Sequence, residues 1–269
     1  MKIDLLTKFL PSSPKIAFTQ IGAGDLVIFI HGIGGNKDNW DLNFPILSKH
    51  FLCVAWDTRG YGESEDYKGE LFFDDVINDL LSIYKYFDKN KAHIIGLSMG
   101  GQIACLFYEK YPDKVKSMVL CDTHFGLGNL EKDEIEKFIN SRQKPLLEGL
   151  QPKDIALPVT KSLVGNLKNE AAIEELVSSM SKLHKESYLK TIDASMSTFH
   201  DHIFPKINVP TLILVGEKDT LTPPSMALEI HKLIKNSEFS IIEEAGHLIN
   251  IENPKAFNYR ILKFLKEFN

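Results

Sequence analysis

Residues 93–104 read "HIIGLSMGGQIA", with one serine, Ser98, set between Leu97 and Met99 and fenced by Gly96 and Gly100. The apolar run "AHIIG" (92–96) has the format of a strand buried on both faces, and residues 99–110 have helical period. A routine helix cap needs no glycine at both positions, and a glycine-rich turn needs no serine. A Gly-x-Ser-x-Gly elbow uses both. Its turn is so sharp that side chains at the flanking positions would collide with the neighbouring strand and helix. It also lifts the hydroxyl clear of the sheet at a helix N-terminus, where developing negative charge is favoured. The same pentapeptide arises by chance as a turn with an incidental serine, so the rest of the chain must decide.

A serine hydroxyl is a weak nucleophile unless a base takes its proton. His247, in "EEAGHLINIENP", follows the last strand-like run and precedes the last helical one. Alone among the nine histidines it lies in a post-strand loop late enough to reach the sheet's carboxyl edge from the C-terminal side. His231 sits mid-helix among lysines, and His184, His200 and His202 belong to the long middle stretch or its exit. A histidine base needs a carboxylate to fix its tautomer. Asp219, in "LVGEKDTLTPP", follows strand 210–216, giving the chain order Ser98, Asp219, His247. Asp122, in "VLCDTHF", is the rival acid, ranked second because the "GEKDTLTP" loop is aimed toward the His247 turn. "HGIGG" (31–35) ends the first buried strand, and the backbone N–H groups of Ile33 and Met99 are the candidate oxyanion donors. A dinucleotide-binding Gly-x-Gly-x-x-Gly would need glycine at position 37, which is Lys37, and no phosphate-binding GxxxxGK[ST] occurs.

Further strands are read at "KIAFTQIG" (15–22), "DLVIFI" (25–30), "FLCVAW" (51–56), "VKSMVLC" (115–121), "PTLILVG" (210–216) and "EFSIIE" (238–243). Helical period marks 72–87, 225–235 and 254–268. This alternation predicts a mostly parallel sheet with helices on both faces. It breaks between 124 and 202, where "EKDEIEKFINSRQKPLLEGL" and "NEAAIEELVSSMSKLHKESYLKTIDASM" are helical in period. The reading is a core in two parts, 1–123 and 203–269, with a helical cap at 124–202 lying over the sheet's carboxyl edge. The cap is expected to select substrate and to supply none of the chemistry. Phe125, Leu127 and Phe199, with Leu248 beside the histidine, are candidates to line a substrate pocket, though cap–core packing accounts for the phenylalanines and Leu127 equally well. Arg142, in "NSRQKP", is either a solvated helix residue or a cation for a substrate carboxylate.

With 269 residues, 43% apolar and 25% charged, the chain can bury a sizeable core. A net charge of −5 argues against nucleic acid as a partner. No apolar run approaches the roughly 20 residues of a membrane span. The start, "MKIDLLTKFLPSSPK", is interrupted by Asp4, Thr7 and Lys8 and has no small-residue cleavage site, so a cytoplasmic location is expected. Cys53, Cys105 and Cys121 read as buried free thiols, and no metal-ligand spacing or cofactor motif is present. Neither a metal nor a cofactor is expected.

"HGIGGNKDNW", "DTRGYGES", "GLSMGG", "LVGEKDTLTPP" and "EAGHLINIENP" together resemble the α/β-hydrolase superfamily, over nearly the whole chain. The resemblance implies a mostly parallel eight-stranded sheet flanked by helices, with a helical cap insertion. It also implies a serine hydrolase acting on a small carboxylic ester or lactone, with Ser98, Asp219 and His247 as its triad. Within the superfamily the chain is most similar to small bacterial carboxylesterases and 3-oxoadipate enol-lactonases, with C–C hydrolases of meta-cleavage products nearby. The serine departs from the dehalogenase and epoxide hydrolase branches, which carry aspartate there. C–C hydrolases usually follow the histidine with an aromatic, where this chain has Leu248. A non-catalytic ligand receptor on the same fold is the alternative from another class.

Overall fold

The computed structural model describes residues 5–126 and 130–268. Its strands are β1 (Lys8–Phe9), β2 (Ala17–Ile21), β3 (Leu26–Ile30), β4 (Leu52–Trp56), β5 (Ala92–Leu97), β6 (Val115–Cys121), β7 (Thr211–Gly216) and β8 (Ser237–Ile242). They form one eight-stranded sheet in the order β1-β2-β4-β3-β5-β6-β7-β8. Only the β1/β2 and β2/β4 pairs are antiparallel. Every other neighbouring pair is parallel. Seven of these strands stand where apolar runs predict them. The eighth, β1, pairs Lys8 with Phe18 and Phe9 with Ala17 and is two exposed residues long, too short to show a period.

The central strands are buried along their whole length because both faces are covered. The helices outside the long middle stretch are α1 (Phe44–Leu47), α2 (Phe73–Tyr86) and α3 (Met99–Lys110), followed late in the chain by α8 (Pro224–Leu233), α9 (Ile249–Glu252) and α10 (Pro254–Glu267). Val27, Phe29, Ile95 and Leu212 pack in one core with Phe44 of α1 and Phe257 and Ile261 of α10. Ile28, Ile30, Ile94 and Ile213 face the other way, onto Val76 and Leu80 of α2, Ile103 of α3 and Ile230 of α8. Alternate residues of each strand thus serve opposite layers, and a shift of one register would exchange the two cores.

Between β6 and β7 the chain runs through α4 (Lys132–Leu147), α5 (Pro152–Leu163), α6 (Glu170–Ser181) and α7 (Lys185–Ser197). A capping box between Gln151 and Asp154 starts α5, and the Asn169 side chain accepts from the Ala172 amide to start α6. Polar contacts tie this segment to the sheet layer. Asn39 Nδ2 donates to Ser179 Oγ at 2.7 Å, Ser187 Oγ to Asp66 at 2.7 Å, and Gln102 Nε2 to the Thr198 carbonyl at 2.9 Å. Among the described residues no helix is long and apolar enough to cross a membrane.

Candidate active site

Strand β5 ends at Leu97 and helix α3 begins at Met99, which leaves Ser98 alone to make the turn. Its backbone stands at φ 53°, ψ −114°, a region that residues with a Cβ rarely occupy. The Ser98 amide donates to the Cys121 carbonyl at 2.8 Å, which fixes the turn to β6. The flanking glycines are required by space. A Cβ on Gly96 would lie 2.2 Å from the Gly100 carbonyl oxygen, and one on Gly100 would lie 2.1 Å from that of Ile30. As expected, helix and strand cross here closer than any side chain allows.

His247 stands in the loop after β8, its Nδ1 2.8 Å from Asp219 Oδ2 in the loop after β7. Asp219 Oδ1 accepts from the amides of Leu221 at 2.9 Å and Thr222 at 3.1 Å, and the Thr222 hydroxyl lies 2.6 Å from Oδ2. Burial pushes this carboxyl up, but His247 and the Thr222 donors outweigh burial and hold it below the ordinary aspartate value. Asp122 lies close by. Its Oδ1 accepts from the Gly216 amide at 2.8 Å, and among the described residues no donor reaches Oδ2. Burial, reinforced by the neighbouring Asp219 charge, pushes the Asp122 carboxyl well above its ordinary value. The imidazole is hydrogen-bonded to Asp219, and among the described contacts no such bond joins it to Asp122.

Ser98, Ile33, His247 and Leu248 line one cleft, together with Trp40, Leu163, Leu176 and Ile251. The cleft is tight, with a free volume of about 20 Å³, room for little more than a water molecule. Ser98 and His247 are 7% and 5% exposed. No hydrogen bond joins the serine hydroxyl to the imidazole among the described residues, and such contacts are commonly long before substrate arrives. Met99 is the first residue of α3, where an amide has no acceptor within its own helix.

Of the other residues singled out from the sequence, Phe125 packs edge-on against Phe204 at 5.6 Å, and Phe199 is 47% exposed. Neither lines this cleft, whose contributions from the inserted helices are Leu163 and Leu176. The reason is positional: Phe125 and Phe199 stand at the two ends of the insertion, and the leucines stand on α5 and α6. Leu127 lies outside the described residues. Arg142 is only 6% exposed, so the solvated reading is incorrect, and it lines a separate cavity between α4 and α5.

Two partners escape a reading by motif. Thr222 braces the Asp219 carboxylate and also reaches the other strand end, its Oγ1 3.0 Å from the Asp122 backbone carbonyl oxygen. Glu252 accepts from the amides of Gly165 at 2.7 Å, Gly246 at 3.0 Å and Leu248 at 3.2 Å, and so ties the inserted segment to the histidine loop. The His247 amide itself donates to the Leu163 carbonyl at 2.9 Å. The insertion thus contributes no member of the Ser98–Asp219–His247 set, yet it holds the backbone of one. Among the described residues no group of three or more His, Cys, Asp or Glu side chains is arranged to hold a metal ion.

The α/β hydrolase fold family matches residues 25–254. A curated relative, the 2-hydroxy-6-oxononadienedioate/2-hydroxy-6-oxononatrienedioate hydrolase of Escherichia coli K12, is 28% identical over 93% of this chain and 91% of that protein. The thermophilic esterase from Thermogutta terrifontis, solved with malate bound, superposes with a TM-score of 0.85 at 26% identity, covering 99% of each chain. The enol-lactonase from Burkholderia xenovorans LB400 superposes with a TM-score of 0.84 over 94% of this chain and 96% of its own, and at 23% identity it shows the fold alone. With the eight-stranded sheet and the serine elbow already in view, a match over this much of its length makes the chain a member of the α/β hydrolase family.

Proposed function

We propose that this hydrolase cleaves a carboxylic ester or lactone through an acyl-enzyme, with Ser98 as nucleophile, His247 as base and Asp219 as the acid that orients it. The observation that carries the reading is the Asp219–His247 hydrogen bond of 2.8 Å in a cleft that Ser98 also lines. His247 takes the Ser98 proton as the hydroxyl attacks the carbonyl, and the oxyanion rests on the Ile33 and Met99 amides. Each such donor is worth about 3 kcal/mol in the transition state. His247 then protonates the leaving alkoxide and activates the water that releases the acid. The segment 124–202 acts as the cap over this cleft, and its Leu163 and Leu176 bound the acyl side.

The same groups serve a second reading, hydrolysis of a carbon–carbon bond beside a carbonyl, which the curated Escherichia coli relative supports. One experiment separates the two. Turnover of p-nitrophenyl acetate, p-nitrophenyl butyrate, a small lactone and a 2-hydroxy-6-oxo-dienoate is compared in the wild type and in Ser98→Ala. Ester or lactone hydrolysis that falls by several orders of magnitude in the folded variant is the expected result. Turnover of the dienoate alone would hand the chain to the C–C reading. Esterase activity that survives Ser98→Ala would remove Ser98 from the mechanism.

A further inference from the structure

Arg142 is a buried cation with no ion-pair partner among the described residues. Its one hydrogen bond among the described residues runs from Nη1 to the neighbouring Ser141 hydroxyl at 2.8 Å, and its guanidinium lies 4.3 Å from the centre of the Phe138 ring. No described carboxylate pairs with it, although a guanidinium offers five N–H donors. An unpaired buried charge is costly, so proteins seldom keep one without a use for it. Burial accordingly pulls the Arg142 pKa below its ordinary value.

The surroundings say what would pair with it. Arg142 lines a cavity of about 750 Å³ between α4 and α5, large enough for a small organic molecule. Most of the wall is apolar, from Phe138, Pro145, Ile155 and Val159. The other charged residues on the wall are Glu134, Lys137 and Asp154. With Arg142 counted, the wall carries two cations and two acids, so it presents no broad positive field. What it offers an anion is the local fork of the unpaired guanidinium, which suits a single carboxylate, while a polyanion would meet Glu134 and Asp154. A planar carboxylate matches the guanidinium fork. Leu163 lines this cavity and the Ser98 cleft alike, and so stands as the partition between them.

We propose that the α4–α5 cavity is a carboxylate subsite. A monoanionic substrate would present its carbonyl to Ser98 and seat its far carboxylate on Arg142, with its chain passing Leu163. This rests on the ester reading above and names the substrate class: half-esters of dicarboxylic acids and their cyclic equivalents.

The test uses monomethyl esters of adipate, suberate and sebacate beside neutral methyl esters of the same chain length, in the wild type and in Arg142→Gln. The wild type is expected to prefer the half-ester at least about tenfold in kcat/KM at one chain length. Arg142→Gln should bring that ratio close to one. Millimolar suberate should raise the Tm of the wild type and leave that of the variant unmoved. Neutral esters cleaved with no half-ester preference at any length, and no suberate shift, would overturn the subsite. No ester cleaved, but a suberate shift that needs Arg142, would keep the subsite and discard the ester reading. If Arg142→Gln does not fold, the chain-length series in the wild type decides alone.

Discussion

Asp219 and Asp122 are both buried carboxylates at strand ends, and their surroundings drive them in opposite directions. Asp219 is held charged by His247 and the Thr222 donors, while burial and the Asp219 charge hold Asp122 toward its neutral form. Only a charged acid can stabilise an imidazolium. Asp219→Asn is therefore expected to lower kcat by about 10⁴, the scale seen when such an acid is made neutral in a serine protease. Asp122→Asn keeps an oxygen for the Gly216 amide and should cost less than about tenfold; a stopped assay on one ester compares the two, and the reverse order would move the acid to β6. Asp122 also makes a prediction for stability. A carboxyl whose pKa is raised in the fold contributes stability below its unfolded value near 4, and loses it as pH climbs toward the folded value. Asn cannot ionise, so the Tm of Asp122→Asn relative to wild type should rise from pH 4 to pH 8; a flat difference would mean that Asp122 ionises freely in the fold. That Asp219 would meet His247, and that His247 would share a cleft with Ser98, was legible because each stands at or within a few residues of the end of a strand and has distinctive neighbours. Thr222 and Glu252 were not, because their roles come from contacts made only once the loops have met.

Among the elements, the crossing of β3, β5 and α3 carries the most specific demand. Gly100→Ala would set a Cβ 2.1 Å from the Ile30 carbonyl oxygen, a clash with backbone and not with a side chain that could swing aside. The variant is expected to lose about 3 kcal/mol or more, as overpacking of a rigid core does, and to show it in urea denaturation. A near-native midpoint would mean that the elbow can open. Long elements were legible because a period needs length. The predicted 115–121 strand and 99–110 helix match their observed bounds, whereas the two-residue β1 and the four-residue α1 and α9 left no signal.

At the scale of the whole molecule, the sheet and the inserted helices were readable as two patterns, but not how they touch. Phe125 and Phe199 were plausible pocket residues by type, and they lie elsewhere because the insertion's ends, unlike α5 and α6, do not reach the cleft. The contact that sequence could least reveal joins Gly165 to Gly246. A Cβ on Gly165 would fall 2.5 Å from the Gly246 amide nitrogen, directly beside His247. Gly165→Ala should therefore reduce kcat even on p-nitrophenyl acetate, by about tenfold or more, although residue 165 belongs to the insertion; unchanged acetate turnover in a folded variant would show that the histidine loop can give way.

That glycine contact divides the insertion into parts with different freedom to change. Near residues 163–165 a substitution disturbs the histidine before it alters any preference for substrate. Around Phe138, Arg142 and Ile155 the wall faces a roomy cavity, and a new side chain there meets little that catalysis needs. New substrate tastes in descendants of this chain should accordingly be written in α4 and the first turns of α5, with the end of α5 left as it is.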